Sequence, residues 1–526
     1  MRSSRSGRVL AALCAAVMLA ACNGTDQTAD DALSSTASGT ATTPSASPSS
    51  TTPSATTSAA TTEGLDAFYG QKLSWTTCGK FECSNLTVPV DYDKPTGATI
   101  KLALLRVRAE GDRKASLVIN PGGPGGSGVE YAQSARDVIS DDVREQYDVV
   151  GFDPRGVGKS APLKCLTDAQ TDALVAADPT PDDDAEVAAN VKLLQQLAAR
   201  CKAGGGALLA HVSTREAARD MDVLRAALGD KKLHYLGKSY GTYLGATYAE
   251  LFPANVGHLV LDGALDPALT SKEVSLGQAK GFEQATRAFV QDCAGEESCP
   301  LGSTVDGGMQ RLRDLLSQLD RQPLPTGDAK RPLTEGLGSL GIAVAMYDEG
   351  AWPILRDALA AAFRGDGSVL LRLADAYTSR TENGSYPNNQ NTVIYAVNCL
   401  DRPGPDGTPA DVQRTVAEFA KQAPTWGPFL AWSELPCDYW PVDGSGEARS
   451  IKAAGSGPIV VVGTTRDPAT PYEWAVNLSK QLEDGRLVTY DGDGHTAYRR
   501  GNQCVDKAVD EYLLDDKAPK DGLRCS

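Results

Sequence analysis

The stretch Lys232-Leu233-His234-Tyr235-Leu236-Gly237-Lys238-Ser239-Tyr240-Gly241-Thr242 constrains the fold more than any other part of this 526-residue chain. A short β-run passes through Gly-x-Ser-x-Gly directly into a helical pattern that continues from Thr242 toward Phe252. A strand that hands over to a helix this abruptly puts the serine on a sharp corner, with its hydroxyl above a sheet edge. The flanking glycines keep a Cβ from crowding that corner. Segments 86–89 and 100–108 alternate like an antiparallel pair, and 116–120, 147–152, 256–262, 458–463 and 486–491 read as further strands. Segments 182–203, 214–228 and 472–483 carry helical spacing. This alternation predicts an α/β fold: a mostly parallel, mixed sheet with helices on both faces. Residues 267–450 interrupt it with mainly helical patterns and loops rich in Gly, Pro and Asn. An insertion there predicts a cap over the carboxyl ends of the strands, where ligands bind in such sheets. The folded part thus divides into 63–266, 267–450 and 451–526.

The first residues have the character of a targeting segment. Arg2, Arg5 and Arg8 precede an apolar run over 9–21 that is too short to span a bilayer stably. It ends in Leu19-Ala20-Ala21-Cys22, which resembles the bacterial lipobox. The resemblance implies cleavage after residue 21, acylation of Cys22 and tethering to the outer face of the cell membrane. Residues 23–62 are nearly all Ser, Thr, Ala and Pro, a composition expected of a flexible stalk. The formal net charge is -16, and loss of the three leader arginines leaves 48 basic against 67 acidic residues, or -19. That surface argues against nucleic acid or anionic lipid as partners, so the membrane is reached only through the anchor. Setting aside Cys14 and Cys22 leaves ten cysteines, an even number expected to form disulfides in an exported chain. The simplest pairing is 78/83, 165/201, 293/299, 399/437 and 504/525. None has zinc-site spacing with a nearby His, and no cofactor or metal is expected.

A serine hydroxyl becomes a nucleophile only when a base takes its proton. In a strand–elbow–helix fold the order is nucleophile, acid, base. Of His211, His234, His258 and His495, only the last lies in a loop after the final predicted strand, in Asp491-Gly492-Asp493-Gly494-His495. His258 precedes its strand, and His211 and His234 read as structural or surface residues. Asp467 follows the strand at 458–463 and is the favoured acid, with Asp262 its main competitor and Asp493 expected to shape the His495 loop. The N–H of Tyr240 is the natural first oxyanion donor. The second is expected from the loop Pro121-Gly122-Gly123-Pro124-Gly125-Gly126, with Gly123 preferred over Gly122. No Gly-Lys-Ser/Thr closes that loop at phosphate-loop spacing.

Several motifs together resemble one family. Pro121-Gly122-Gly123-Pro124-Gly125-Gly126 and Asp153-Pro154-Arg155-Gly156-Val157-Gly158-Lys159-Ser160 are similar to loops of the proline iminopeptidase branch of α/β-hydrolases. The elbow, the Asp467 segment, Gly494-His495-Thr496 and Cys504 resemble the secreted tripeptidyl aminopeptidases of actinobacteria and their mycobacterial serine hydrolase relatives. The resemblance spans about residues 70–526. It implies an α/β-hydrolase core with a cap, a Ser239–Asp467–His495 triad and cleavage near the free N-terminus of peptides. Such a substrate calls for a carboxylate to receive its α-ammonium. Asp401 is the first candidate, with Asp348, Glu349 and Glu434 beside it. Trp352, Trp426, Trp432 and Trp440 are expected to pack the cap against the core or line a pocket, and Arg155 to anchor structure beneath the site. An esterase of the same fold and a non-catalytic surface binding protein are the alternatives.

Overall fold

The computed structural model describes residues 64–404 and 407–526. The leader at 1–22 with Cys22, and the stalk at 23–62, lie outside the described residues.

Ten strands form one sheet: β1 Thr76–Cys78, β2 Phe81–Pro89, β3 Thr99–Val107, β4 Ala115–Asn120, β5 Tyr147–Phe152, β6 Leu233–Lys238, β7 Val256–Asp262, β8 Ile459–Arg466, β9 Gly485–Asp493 and β10 Leu523–Cys525. Their order is β1-β2-β3-β5-β4-β6-β7-β8-β9-β10. The pairings β1/β2, β2/β3 and β3/β5 are antiparallel and the rest parallel. In β2/β3 the register sets Leu86 opposite Leu102 and Val88 opposite Ile100. The inner strands β4 and β5 are buried along their whole length, which explains their unbroken apolar runs.

Alternate residues of these strands serve different sides. Val118, Val150 and Val461 pack beneath the helices Thr214–Leu228, Tyr240–Leu251 and Tyr472–Gln481. Leu117, Ile119, Val149, Val460 and Val462 face the helices Gly128–Gln133, Asp141–Gln146 and Gln503–Asp515. The period of two places each set on one face. The elbow helix starts at Tyr240, immediately after the serine, rather than at Thr242. The short edge strands β1 and β10 had no pattern by which to find them. Each is stapled at its end, by Cys78–Cys83 and Cys504–Cys525. Cys165–Cys201, Cys293–Cys299 and Cys399–Cys437 are also bonded, as befits an exported protein.

Between β7 and β8 the chain runs through the helices Ser271–Ala294, Val305–Arg321, Glu335–Met346, Trp352–Phe363, Ser368–Thr378, Gln390–Asp401 and Pro409–Gln422. The first opens with a capping box in which Thr270 and Glu273 satisfy each other's backbone N–H groups. Phe282, Phe289, Leu312, Leu316, Leu355 and Trp426 belong to a hydrophobic core of this insertion's own. Its helix Gln390–Asp401 instead sends Val393, Ala396, Val397 and Leu400 into the core beneath the sheet.

Candidate active site

Ser239 leaves β6 with φ 55° and ψ -127°, a conformation that costs a side-chain-bearing residue and persists only where its surroundings impose it. Its N–H donates to Asp262 O at 2.9 Å, and its carbonyl accepts from Thr242 N–H at 2.8 Å and Thr242 Oγ1 at 2.6 Å. Both elbow glycines are required by space. A Cβ on Gly237 would stand 2.3 Å from Gly241 O, and one on Gly241 2.8 Å from Asn120 Oδ1.

The Gly-rich loop lies against this corner. A Cβ on Gly122 would stand 2.8 Å from Ser239 Cβ and 3.1 Å from Tyr240 N. Gly122, Gly123 and Gly125 all have positive φ, at 98°, 114° and 95°. Gly122 N–H donates to Asn120 Oδ1 at 2.9 Å. Among the described residues, the N–H groups of Gly123 and Tyr240 have no such acceptor and stay free to donate to an oxyanion. The loop is steadied by the buried Asp153 carboxylate, which accepts from Ser127 Oγ at 2.5 Å, Val129 N–H at 3.1 Å and Lys159 N–H at 2.8 Å.

His495 and Asp467 come together from the loops after β9 and β8. His495 Nδ1 lies 2.9 Å from both Asp467 carboxylate oxygens. The same carboxylate, 1% exposed, accepts from Ala469 N–H at 2.9 Å, Thr470 N–H at 2.8 Å, Thr470 Oγ1 at 3.0 Å and Thr496 N–H at 3.2 Å. The imidazole edge borders the elbow: a Cβ on Gly263, next to Asp262, would stand 3.3 Å from His495 Cε1. Among the described residues no hydrogen bond joins Ser239 Oγ to the imidazole. In enzymes of this kind the contact tightens when substrate binds.

The insertion reaches into this group. Tyr347 O accepts from His495 N–H at 3.0 Å, and its ring stands edge-on to the imidazole with centroids 5.1 Å apart. Arg500 donates to His495 O at 3.2 Å and pairs with Asp348 at 3.1 Å.

The other acids and histidines have different occupations. Asp262 accepts from Ala497 N–H at 2.9 Å and Tyr498 N–H at 3.0 Å, with Lys238 Nζ at 3.6 Å, and so holds the far side of the His495 loop. Burial pushes its pKa up against the pull of Lys238. Asp493 pairs with Arg466 at 2.8 and 2.9 Å. His211 lies 2.8 Å from Glu216, and His258 lies 2.7 Å from Asp516. His234 packs against His258, and burial first, then the charge of His258, lowers its pKa to about 4. Arg155, buried, forks onto Asp220 at 2.7 and 2.8 Å and onto the carbonyls of Pro89, Val90 and His211. Among the described residues, two groups of ligand atoms stand close enough to hold a cation, Asp91/His211/Glu216 and Asp178/Asp320/Glu335.

A cleft of about 470 Å³ separates the insertion from the core. One face of helix Gln390–Asp401 lines it through Asn391, Tyr395 and Asn398. None of Ser239, Asp467 and His495 lines it; of the residues that do, Gln278 donates to Ala469 O at 3.0 Å, and Tyr377 packs on Tyr347 at 5.8 Å between centroids. None of the expected amine ligands lines this cleft. Asp401 is 4% exposed, and both its oxygens accept from Thr214, from N–H at 2.8 Å and from the hydroxyl. Burial raises its pKa to about 6. Glu434 is buried with Oε1 unpartnered, and Glu349 is exposed beside Asp493 on the outer side of the His495 loop. Of the tryptophans, Trp432 lines the cleft, while Trp352 and Trp426 pack inside the insertion.

Known proteins share this chain's sequence over most of its length. The TAP-like protein family profile matches residues 423–525. "Serine protease Hip1" of Mycobacterium tuberculosis is 39% identical over 87% of this chain and 91% of its own length. "Carboxylesterase B" of the same organism is 40% identical over 86% and 90%. "Tripeptidyl aminopeptidase" of Streptomyces lividans is 34% identical over 86% and 85%.

Proposed function

The chain belongs to the family of α/β-hydrolases that includes these serine proteases and tripeptidyl aminopeptidases, and as a member of it we propose that it is a secreted serine aminopeptidase releasing tripeptides from free N-termini. Ser239 Oγ attacks the carbonyl of the third residue while His495 Nε2 takes its proton. Asp467 holds Nδ1–H, fixing the tautomer and stabilising the imidazolium. Tyr240 and Gly123 N–H groups receive the developing oxyanion. His495 then protonates the leaving amine, and water repeats the attack on the acyl-enzyme.

The observation that carries this reading is the Asp467–His495 pair, 2.9 Å apart, set with the strained corner at Ser239 and next to a cleft roofed by residues of the insertion. Its volume suits a short peptide rather than a folded protein surface. The esterase reading has its own support in the relative named carboxylesterase and in a cleft lining that is mostly uncharged. A substrate panel separates the two: a tripeptide anilide with a free amine, its N-acetylated form and a short acyl ester. Turnover of the ester alone overturns the peptidase reading. Preference for the blocked peptide makes the enzyme an endopeptidase.

Anchoring through acylated Cys22 and the 23–62 stalk completes the proposal. Cys22→Ala should move the protein from the detergent phase to the aqueous phase; unchanged partitioning overturns the anchor.

A further inference from the structure

Building on the serine hydrolase reading, with Ser239 as nucleophile and Tyr240 N–H as an oxyanion donor, we propose that Asp401 is a positioning residue for that donor, acting through the hydroxyls of Thr214 and Tyr240. The contacts run without a break. Thr214 Oγ1 stands within hydrogen-bond reach of both Asp401 Oδ2 and the Tyr240 hydroxyl, while Asp401 Oδ1 accepts from Thr214 N–H at 2.8 Å. All three side chains are buried, so they rely on one another rather than on bulk water. Their chemistry fixes the direction of the chain. An ionised carboxylate only accepts, so the single Thr214 hydroxyl proton goes to Asp401, and the Tyr240 hydroxyl must donate to Thr214 Oγ1. Burial raises the Asp401 pKa to about 6 against the pull of its two Thr214 bonds, which leaves it ionised at about pH 8.

Tyr240 is a residue where such an anchor matters. Its N–H belongs to the peptide that leaves Ser239 at φ 55° and ψ -127°, and a backbone in that region keeps its aim only where neighbours impose it. A Tyr240 side chain tied at its far end restrains the residue whose N–H faces the oxyanion. The tie comes from the insertion. Asp401 closes helix Gln390–Asp401, and the next residue, Arg402, lays its guanidinium over the Tyr243 ring at 4.4 Å. Two consecutive residues thereby grip the first turn of the elbow helix. The same helix braces the Gly-rich loop of the other oxyanion donor, since a Cβ on Gly125 would collide with Val393 Cγ1. At its N-terminal end Asn389 donates to Gly156 O at 2.8 Å and accepts from Gly158 N–H at 3.1 Å, just after the Asp153 that steadies the Gly-rich loop. One helix of the insertion thus bears on both elements that carry oxyanion donors, where a misplacement of about 1 Å costs on the order of a hundredfold in rate.

The test uses Asp401→Asn, Thr214→Val, Thr214→Ser and Tyr240→Phe in the full-length protein. The substrate is a short acyl ester at about pH 8. The inhibitor is phenylboronic acid, whose adduct with Ser239 places an oxygen where the oxyanion forms. Exhaustive fluorophosphonate labelling counts active sites, and melting curves confirm folding. Asn at 401 keeps the volume but turns an amide N–H toward one of the two Thr214 donors, which breaks or reverses the chain. Per labelled site, kcat should fall about tenfold or more in Asp401→Asn, Thr214→Val and Tyr240→Phe, with KM within about twofold of wild type, and boronic acid binding should weaken in step. Thr214→Ser keeps the hydroxyl and should retain most of kcat. Asp401→Asn added to Tyr240→Phe should lower kcat no further; an additive loss overturns the relay. Where Asp401→Asn fails to fold, Thr214→Val and Tyr240→Phe decide by the same criteria. Wild-type kcat per site in the folded variants, or a rise in KM alone, overturns the assignment and leaves Ser239 as the nucleophile. A wild type that hydrolyses the ester but no peptide overturns the aminopeptidase reading and leaves this assignment standing; one that takes no fluorophosphonate label overturns both.

Discussion

Asp467 accepts backbone and side-chain donors on both oxygens before it meets His495, so its position is over-determined. Asp467→Asn keeps the volume but presents an N–H to Nδ1 and imposes the wrong tautomer, and its amide nitrogen meets a backbone N–H where an oxygen accepted one. We expect kcat to fall about 10⁴-fold, with about 1–3 kcal/mol of stability lost. Asp262→Asn should cost stability without that loss of turnover. It weakens the grip on Ala497 and Tyr498, costing about 1–3 kcal/mol of stability, and retains far more turnover than Asp467→Asn. Kinetics and thermal melts of the two variants read both effects. Glu335 gives a pH prediction. Burial first, then the charges of Asp178, Asp320 and Asp182, raise its pKa to about 8. The folded state therefore holds a proton that the unfolded state releases near pH 4.5, and stability falls as pH rises from there to about 8. Glu335→Gln should be more stable than wild type at pH 8, by roughly 1–3 kcal/mol, and equal to it near pH 4 in melts across that range. The placement of Ser239, Asp467 and His495 was legible because each follows a recognisable strand.

The Gly-rich loop and the elbow are one device built from two elements distant in sequence. Gly122→Ala places a methyl 2.6 Å from Lys238 O and 2.8 Å from Ser239 Cβ at a φ of +98°. One of the two elements must move, and fluorophosphonate labelling of Ser239 should slow at least a hundredfold, because it displaces both nucleophile and oxyanion donors. At the far edge, Cys504–Cys525 closes a 21-residue loop that carries β10 against β9. Replacing both cysteines with Ser should cost about 2–4 kcal/mol in denaturant melts. The long strands and helices announced themselves by period; helix starts moved by two residues where caps decided them, as at Asp183 before the helix Asp184–Gly205, while β2 begins five residues before the expected 86 and β8 runs three beyond 463. Three-residue strands such as β1 and β10 carry no period to detect and exist because neighbours and disulfides hold them.

At the scale of the whole molecule, the insertion supplies part of the catalytic frame as well as the cleft. Phe282 packs on Tyr347 at 6.0 Å between centroids, and Tyr347 holds His495. Phe282→Ala should destabilise the insertion by about 3 kcal/mol or more. It should also lower kcat for ester and peptide alike, whereas an insertion that only selected substrates would leave ester turnover untouched. By itself the sequence determined the long strands of the sheet, the corner at Ser239 and the order in which Ser239, Asp467 and His495 follow their strands, because strand period, glycine placement and chain order are local properties. Only the tertiary structure decided which carboxylates face the cleft. It turned Asp401 inward onto Thr214 and set Asp262 to holding a loop. The physical reason is that a carboxylate's role follows from which donors reach it, and those donors come from segments that the linear chain keeps far apart.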